Sequence, residues 1–244
     1  MYVVSWDGGA VSVRDAVAMS KPLTGTWLRD AYIDTVRTLT LGLARFQGNA
    51  LVIGPLELLR FGRPTVTRTS VDWPIEGGLL AERPGGHWRI QATSGRVEAT
   101  LTGYLPRLPR SIYVVSHLQV HLMFTRLFLL RLRGREPLPG VPAEPSDKIR
   151  AATVDAALCY SLMRCTGGRS WRRFVAIAAV YHVACWSIAG RTLGGEVMRQ
   201  RVVGVDGSRL TPGQAALRFA LLPISWIAWR PLHDRIAATE VITE

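Results

Sequence analysis

The chain has 244 residues, 48% of them hydrophobic, and a formal net charge of +12 at pH 7. Its arginines cluster beside apolar runs and not on a recognition helix or an aromatic-rich strand, which argues against nucleic-acid binding and favours contact with an anionic bilayer surface. The three cysteines, Cys159, Cys165 and Cys185, lack the CxxC spacing of a zinc or redox site, so we predict packing roles for them.

Residues 1–136 are predicted to form a soluble, strand-rich domain. Their N-terminus has neither a basic region nor a long apolar run, so we expect no cleaved signal and a cytoplasmic location. A helix is predicted at 24–32. From Thr38 onward the pattern predicts short strands separated by turns, at 38–43, 51–53 and 64–73.

The clearest local signal in this domain is a β-hairpin. Apolar residues alternate with polar ones over 88–92 and again over 97–101, and Ser94 and Gly95 between them form a turn sequence. The hairpin predicts an antiparallel sheet.

A mostly apolar helix is predicted at 111–132. Arg126, His117 and His121 interrupt its apolar run, and charges at bilayer depth cost a few kcal/mol each. We therefore expect this helix to pack on the sheet or lie on the membrane surface rather than to span the bilayer. The two histidines stand four residues apart, on one helix face, but no third metal ligand is evident, so we predict packing roles and no metal site.

Four prolines lie between Gly134 and Asp147, where hydrophobic periodicity is lost, and we predict a linker at 137–147. Three apolar segments follow, at 151–165, 174–189 and 215–229. Each run has about fifteen or sixteen residues, fewer than the roughly twenty that a bilayer core requires. Flanking arginines can snorkel and Trp or Tyr can lie at the interface, so we predict three transmembrane helices.

The loop between the second and third segments has a specific composition. Gly190, Gly194 and Gly195 permit tight turns or close backbone approach. Val202 to Val205 predict a short strand, which ends at a turn formed by Asp206 and Gly207.

Together with the stretches 148–155 and 233–239, this loop resembles the RDD family of membrane proteins, which is named for an arginine and two aspartates. The resemblance places the first aspartate at Asp155, inside the first transmembrane helix, and the second at Asp234, next to Arg235. The arginine position is occupied by Lys148, with Arg150 a little nearer to the aspartate. The fold class that follows is α+β, with an N-terminal β-rich cytoplasmic domain and a three-helix transmembrane RDD module at 148–244.

Asp155 is the first candidate for function, because an ionisable group within a membrane helix is costly and marks a functional site by default. Some RDD proteins are thought to exchange cations for protons, so the resemblance implies transport of monovalent cations or protons. Three helices are few for a transport pathway, and a homo-oligomer could complete it. The alternative is a non-catalytic, membrane-anchored binding or scaffold protein, in which Asp155, Arg218 and Asp234 only hold the helices together.

Of the three functional hypotheses, transporter, membrane-anchored binding protein and enzyme, the enzyme is the weakest. The N-terminal domain shows no acid, base or nucleophile constellation for an apolar substrate, and the chain has no phosphate-binding loop or nucleophile motif. We therefore predict no catalytic residues and no cofactor.

The predicted localisation is that of a multi-pass protein of the cell membrane, with the lipid bilayer as its partner. If the N-terminal domain is cytoplasmic, three spans place the loop 191–213 on the cytoplasmic side and the C-terminus on the opposite side. Lysines and arginines at the predicted cytoplasmic ends outnumber those at the other ends, as the positive-inside rule favours.

Overall fold

The computed structural model describes residues 2–19, 21–167 and 169–244. It divides into two compact units, an N-terminal unit that ends at Arg133 and a C-terminal unit, Gly134–Glu244. The chain therefore has a β-rich N-terminal part and a mainly helical C-terminal part.

The N-terminal unit contains nine strands and three helices among its described residues. In chain order these are β1 (Val3–Asp7), β2 (Ala10–Ala18), α1 (Gly25–Leu39), β3 (Ala44–Gln47), β4 (Ala50–Ile53), β5 (Leu56–Phe61), β6 (Thr65–Val66), β7 (Ser70–Gly77), β8 (His87–Thr93), β9 (Arg96–Tyr104), α2 (Arg110–Val115) and α3 (His117–Arg133).

The strands form one antiparallel sheet in the order β1-β2-β9-β8-β7-β5-β4-β3, with β6 paired to β7. Burial alternates along β2, β8 and β9, so one face of the sheet is packed and the other is largely polar. α1 packs against β7 and β8, and α3 against β2 and β9. Tyr32 of α1 lies at the centre of the core, with its ring centroid 5.5 Å from that of Trp88 and 5.4 Å from that of Phe128.

The predicted hairpin is confirmed. β8 and β9 pair antiparallel with Thr93 opposite Arg96, and Gly95 adopts a positive φ of 81° in the turn. This is the backbone conformation for which glycine is favoured.

The strand predicted at 38–43 is wrong, because α1 continues to Leu39 and β3 begins only at Ala44. Leu28, Tyr32 and Val36 recur at intervals of four and are all buried. The chain follows the helical spacing of these buried residues, and the alternating leucines after them do not form a strand.

The hairpin β1–β2 was not predicted. Val11, Val13, Asp15 and Val17 form its buried face, and the aspartate interrupts the alternation that would have revealed a strand. Asp15 is buried because Arg126 of α3 donates a hydrogen bond to its Oδ1 at 3.2 Å. A buried carboxylate needs a positively charged partner close by in space, and this partner lies 111 residues away in the sequence.

The segment Arg110–Arg133, which spans α2 and α3, is helical, long enough and apolar enough to cross a membrane, and no other helix of the described residues meets that criterion. The core helix of a soluble protein meets it too. The contact of Arg126 with Asp15, together with the packing of α3 on β2 and β9, agrees with the expectation that this helix packs on the sheet.

The C-terminal unit contains α4 (Pro145–Cys165), α5 (Trp171–Ile188), α6 (Leu193–Val197), β10 (Gln200–Gly204), α7 (Pro212–Ile227), α8 (Leu232–Ile236) and β11 (Thr239–Thr243). Local sequence sets the helix starts. Ser170 caps α5, and Thr211 forms a capping box with Gln214 at the start of α7. α4 and α7 each pack on α5, while α6 packs on α4 and α8 on α7.

The segment 137–147, predicted as a linker, is part of this unit. Ala143 is buried and its N–H donates to the carbonyl of Val241. α4 begins at Pro145, three residues before the predicted start of the module, because proline is favoured in the first helical turn, where no N–H is needed.

The prediction that the C-terminus lies opposite the loop 191–213 is wrong. β11 pairs antiparallel with β10, which belongs to that loop, so both lie at the same end of the helices. The chain reverses after α7 through Trp229, which has a positive φ of 49°. It then returns along α7, where Gln214 Nε2 donates to the carbonyl of Ala237 at 3.2 Å.

Candidate functional site

Asp155 lies near the middle of α4 and is 4% exposed. Its Oδ1 accepts hydrogen bonds from the hydroxyl of Tyr181 at 2.7 Å and from the backbone N–H of Gly194 at 2.8 Å. The Tyr181 hydroxyl in turn accepts from the N–H of Leu193 at 2.8 Å. Three elements, α4, α5 and α6, are thus joined through one carboxylate oxygen.

His182 is the nearest titratable neighbour of Asp155. Its Nε2 lies 3.9 Å from Asp155 Oδ2, and its Nδ1 lies 2.8 Å from the carbonyl oxygen of Ala178. A carbonyl can only accept, so Nδ1 carries a proton and Nε2 is available to accept a second one. At 3.9 Å the two atoms are too far apart for a direct hydrogen bond, so a small group placed between them would contact both the carboxylate oxygen and the imidazole nitrogen.

A second buried ionic group joins α7 to the chain that follows it. Arg218 donates to Asp234 Oδ1 and, at 2.6 Å, to the hydroxyl of Thr239, which itself donates to Asp234 at 2.8 Å. His233 Nε2 lies 3.3 Å from Asp234 Oδ2. Arg218 and His233 thus face the two oxygens of the buried Asp234 carboxylate.

Trp186 connects the two groups. Its ring centroid lies 5.0 Å from that of His182, and the guanidinium carbon of Arg218 lies 5.0 Å from the Trp186 centroid. Asp155 and Asp234 both line a cavity of about 300 Å³, together with these three side chains. The C-terminal unit therefore has a charged and aromatic interior around an open space.

The structure separates the two basic residues considered for the family arginine. Lys148 lines the cavity, two helical turns before Asp155 on the same helix. Arg150 is exposed and donates to Asp147 at 3.3 Å. Arg235 is also exposed, on α8.

Gly194 and Gly195 occupy different environments in α6. A Cβ at Gly194 would lie 2.1 Å from the carbonyl oxygen of Ala151, so only glycine permits this approach to α4. Gly195 lines the cavity, and its N–H donates to Thr192 Oγ1, the cap of α6, at 3.1 Å.

Gly190, Asp206 and Gly207 shape the backbone around β10 and are not part of the cavity lining. Gly190 has a positive φ of 76° and its carbonyl accepts from Val202 at 2.7 Å. Gly207 has a positive φ of 81° in the turn after β10, and the Asp206 side chain accepts from Ser208 there. These residues serve the backbone of the loop.

Sequence reasoning missed Tyr181, His182 and Thr239. The Tyr-His pair is the polar interruption in the otherwise apolar segment 174–189, and this was the signal available. Thr239 gave no signal, because its contact with Asp234 depends on the chain reversal after α7.

The cysteines differ in environment. Cys159 is buried and Cys185 is partly buried, as a packing role requires, whereas Cys165 is exposed at the end of α4. All three are free thiols.

The histidine pair of α3 belongs to the N-terminal unit. His121 lies edge-on to Trp88, and His117 to Tyr113, around a cavity of about 50 Å³. Burial, followed by the proximity of His117, lowers the pKa of His121 to about 4, so its ring is neutral at pH 7. Within the residues that the structure describes, no cluster of three or more His, Cys, Asp or Glu side chains could hold a metal ion.

Residues 171–238 match the sequence model of the RDD family. The match covers α5 to α8, including His182, Arg218 and Asp234, and begins after Asp155. Comparison with curated proteins and with solved structures gives no match to this chain.

Proposed function

The C-terminal part of this chain is of the RDD family, and from this premise we propose that the C-terminal unit is embedded in a bilayer, where Asp155 and His182 exchange protons for monovalent cations. Residues 1–133 would lie on the cytoplasmic side. The observation that carries the proposal is the polarity of the C-terminal unit, which buries three charged side chains while its helices expose large apolar ones.

The buried side chains of this unit include Asp155, Arg218 and Asp234, each 4% exposed. Its helices meanwhile expose large apolar residues, among them Val180 at 72% and Ile227 at 82%. A protein in water generally has charged residues on its surface and apolar residues inside. In the hydrocarbon of a bilayer, apolar residues face outward and charged residues are paired in the interior. The pattern supports a lipid surround.

α4, α5 and α7 do not meet the combined length and hydropathy criterion that Arg110–Arg133 meets, and the support they give to insertion comes from their lengths alone. α4, α5 and α7 have 21, 18 and 16 residues, which corresponds to about 31, 27 and 24 Å at 1.5 Å per residue. These lengths approach the hydrocarbon thickness of roughly 30 Å. Trp171 and Trp229 are exposed at the end of the helices that lies away from β10 and β11. Tryptophan is enriched at the interface between membrane and water, where these two residues would then lie.

Asp155 is suited to bind a proton or a cation because only one of its oxygens is occupied. Oδ1 accepts two hydrogen bonds, while Oδ2 faces His182 Nε2 at 3.9 Å in the cavity. A cation at Oδ2 would favour loss of a proton from the pair, and a proton there would weaken cation binding. Exchange follows from this competition.

The alternative function is a membrane anchor, and the group formed by Arg218, Asp234 and Thr239 favours it. Their polar atoms bond to one another, and the carboxylate and guanidinium neutralise each other in the interior. Such a group holds α7 to the returning chain without a transport role.

Asp155→Asn distinguishes the two functions. The Asn carbonyl can accept from Tyr181 and Gly194 as the carboxylate does, so the variant should fold while losing the charge. We expect the full chain in proteoliposomes to acidify or alkalinise the lumen when a Na⁺ or K⁺ gradient is imposed, and the variant to lose this flux at unchanged yield. Asp147→Asn, on the same helix but outside the cavity lining, is the control and should keep the flux. Absence of flux in the wild-type protein, with lower yield of Asp155→Asn, would instead support the anchor.

A further inference from the structure

The cavity of the C-terminal unit is a cleft between α4 and α7. Ile149 and Ala152 of α4 line it, as do Leu222 and Trp226 of α7. Ile149, Ala152 and Trp226 are exposed, so the apolar residues form the open side of the cleft. In a bilayer this opening would face the acyl chains.

Besides the paired residues Arg218 and Asp234, and Arg191, which pairs with Glu196 and Glu244, the cleft is lined by one basic and one acidic residue of α4. Within the part of the chain that the structure describes, Lys148 forms no ion pair and Asp155 Oδ2 accepts no hydrogen bond, with His182 Nε2 3.9 Å from it. Lys148 and Asp155 are seven apart on α4, a rise of about 10 Å. α4 thus offers a cation and an anion about two helical turns apart, a separation that the flexible Lys148 side chain and a short head group can bridge together.

From this arrangement we infer that the cleft binds a lipid whose head group carries both a phosphate and a primary ammonium, as phosphatidylethanolamine does. The phosphate lies at Lys148, the ammonium donates to Asp155 Oδ2, and the acyl chains leave between Ala152 and Trp226. The inference rests on the membrane insertion proposed above and gives a ligand to the same cavity.

A primary ammonium fits this site better than a quaternary one. Asp155 Oδ2 is a hydrogen-bond acceptor, and a primary ammonium has three N–H donors, whereas a trimethylammonium group has none. A quaternary group would need an aromatic face, but Arg218 already lies 5.0 Å over the Trp186 ring, and Trp226 belongs to the exposed apolar side of the cleft, where the acyl chains leave. A cavity of about 300 Å³ is also at the lower end of the roughly 300–1,000 Å³ found for ligand sites.

Native mass spectrometry of the full chain in mild detergent tests the inference, with an equimolar mixture of phosphatidylethanolamine, phosphatidylcholine and phosphatidylglycerol as the probe. We expect one retained phosphatidylethanolamine per chain, preferred roughly tenfold over the other two, which is the effect of one hydrogen bond to a charged group. Equal retention of the three lipids, or preference for phosphatidylglycerol, would overturn it.

Two matched variants locate the site. Ala152→Phe blocks the opening of the cleft without changing a charge and should remove the preference for phosphatidylethanolamine. Ala156→Phe lies one turn further along α4, is exposed and is outside the cavity lining, so it should keep the preference. Identical lipid retention by the two variants would reject the cleft as the binding site.

The ion-flux assay separates this inference from the proposed transport. If the wild-type protein shows no flux but retains phosphatidylethanolamine in the way described, transport is rejected and the lipid site stands. If Asp155→Asn loses flux while Ala152→Phe still prefers phosphatidylethanolamine, the lipid site is rejected and transport stands.

Discussion

Replacing Gly194 by alanine tests the contact between α6 and Asp155. The added Cβ would lie 2.1 Å from the carbonyl oxygen of Ala151 and 3.0 Å from the carboxyl carbon of Asp155. The closest of these atoms is backbone and cannot rotate away, so α6 must move by about an ångström from α4. That movement breaks the hydrogen bond of 2.8 Å from the Gly194 N–H to Asp155.

The expected loss of stability has two parts. Overpacking costs about 1–3 kcal/mol, and the lost hydrogen bond to a charged group costs about 1.5–3 kcal/mol. Together these amount to about 2.5–6 kcal/mol, which lowers the Tm of a unit of this size by at least about 10 °C.

Gly195→Ala is the matched control, because the same methyl group is added one residue away. Its Cβ would lie 3.1 Å from the carbonyl oxygen of Gln200 and 3.3 Å from Thr192 Oγ1, contacts that a shift of a few tenths of an ångström relieves. We expect a loss of about 1 kcal/mol, at the low end of overpacking. Thermal unfolding of both variants in detergent is the assay, and equal Tm values for the two would refute the assigned contact.

Two further predictions concern buried ionisable side chains, those of Asp234 and His121. Asp234→Asn leaves Arg218 without its counter-charge and should destabilise the protein by about 3–5 kcal/mol, while adding Arg218→Met should recover most of that loss. The Tm values of the wild type, the two single variants and the double variant test this coupling, and strictly additive changes in Tm would contradict it. The pKa of His121 falls from 6.5 to about 4 on folding, so between these pH values the unfolded chain binds more protons than the folded one. The stability of the wild-type protein should therefore decrease as the pH falls from 6.5 to 4. His121→Phe should flatten this dependence of stability on pH, and an unchanged dependence would contradict the assignment.

Local patterns predicted much of the N-terminal sheet. The alternation on both sides of Ser94 and Gly95 requires no information beyond the hairpin itself, and it was right. The strand β2 was missed because Asp15 belongs to its buried face, and a buried carboxylate is understandable only once Arg126 of α3 is known to lie against it. Long-range pairing of this kind is invisible to a local pattern.

For the C-terminal site, too, the sequence indicated some residues, while their partners depend on contacts between distant parts of the chain. The family resemblance indicated Asp155 and Asp234, and the structure places both in one cavity lining. The partners of these aspartates depend on tertiary packing, as with Tyr181, which reaches Asp155 from another helix. The chain reversal at Trp229 was also missed, since a tryptophan with positive φ carries no local sequence signal.

Labelling with a membrane-impermeant maleimide tests bilayer insertion of the C-terminal unit most directly. The protein, without its three native cysteines, would carry one new cysteine at Arg209, at Glu244 or at Arg169, all exposed positions. Because β10 pairs with β11, the cysteines at 209 and 244 should react from the same side of sealed vesicles, and the cysteine at 169 only from the other side. Reaction of all three from one side, with release of the protein from the membrane by alkaline carbonate, would contradict insertion.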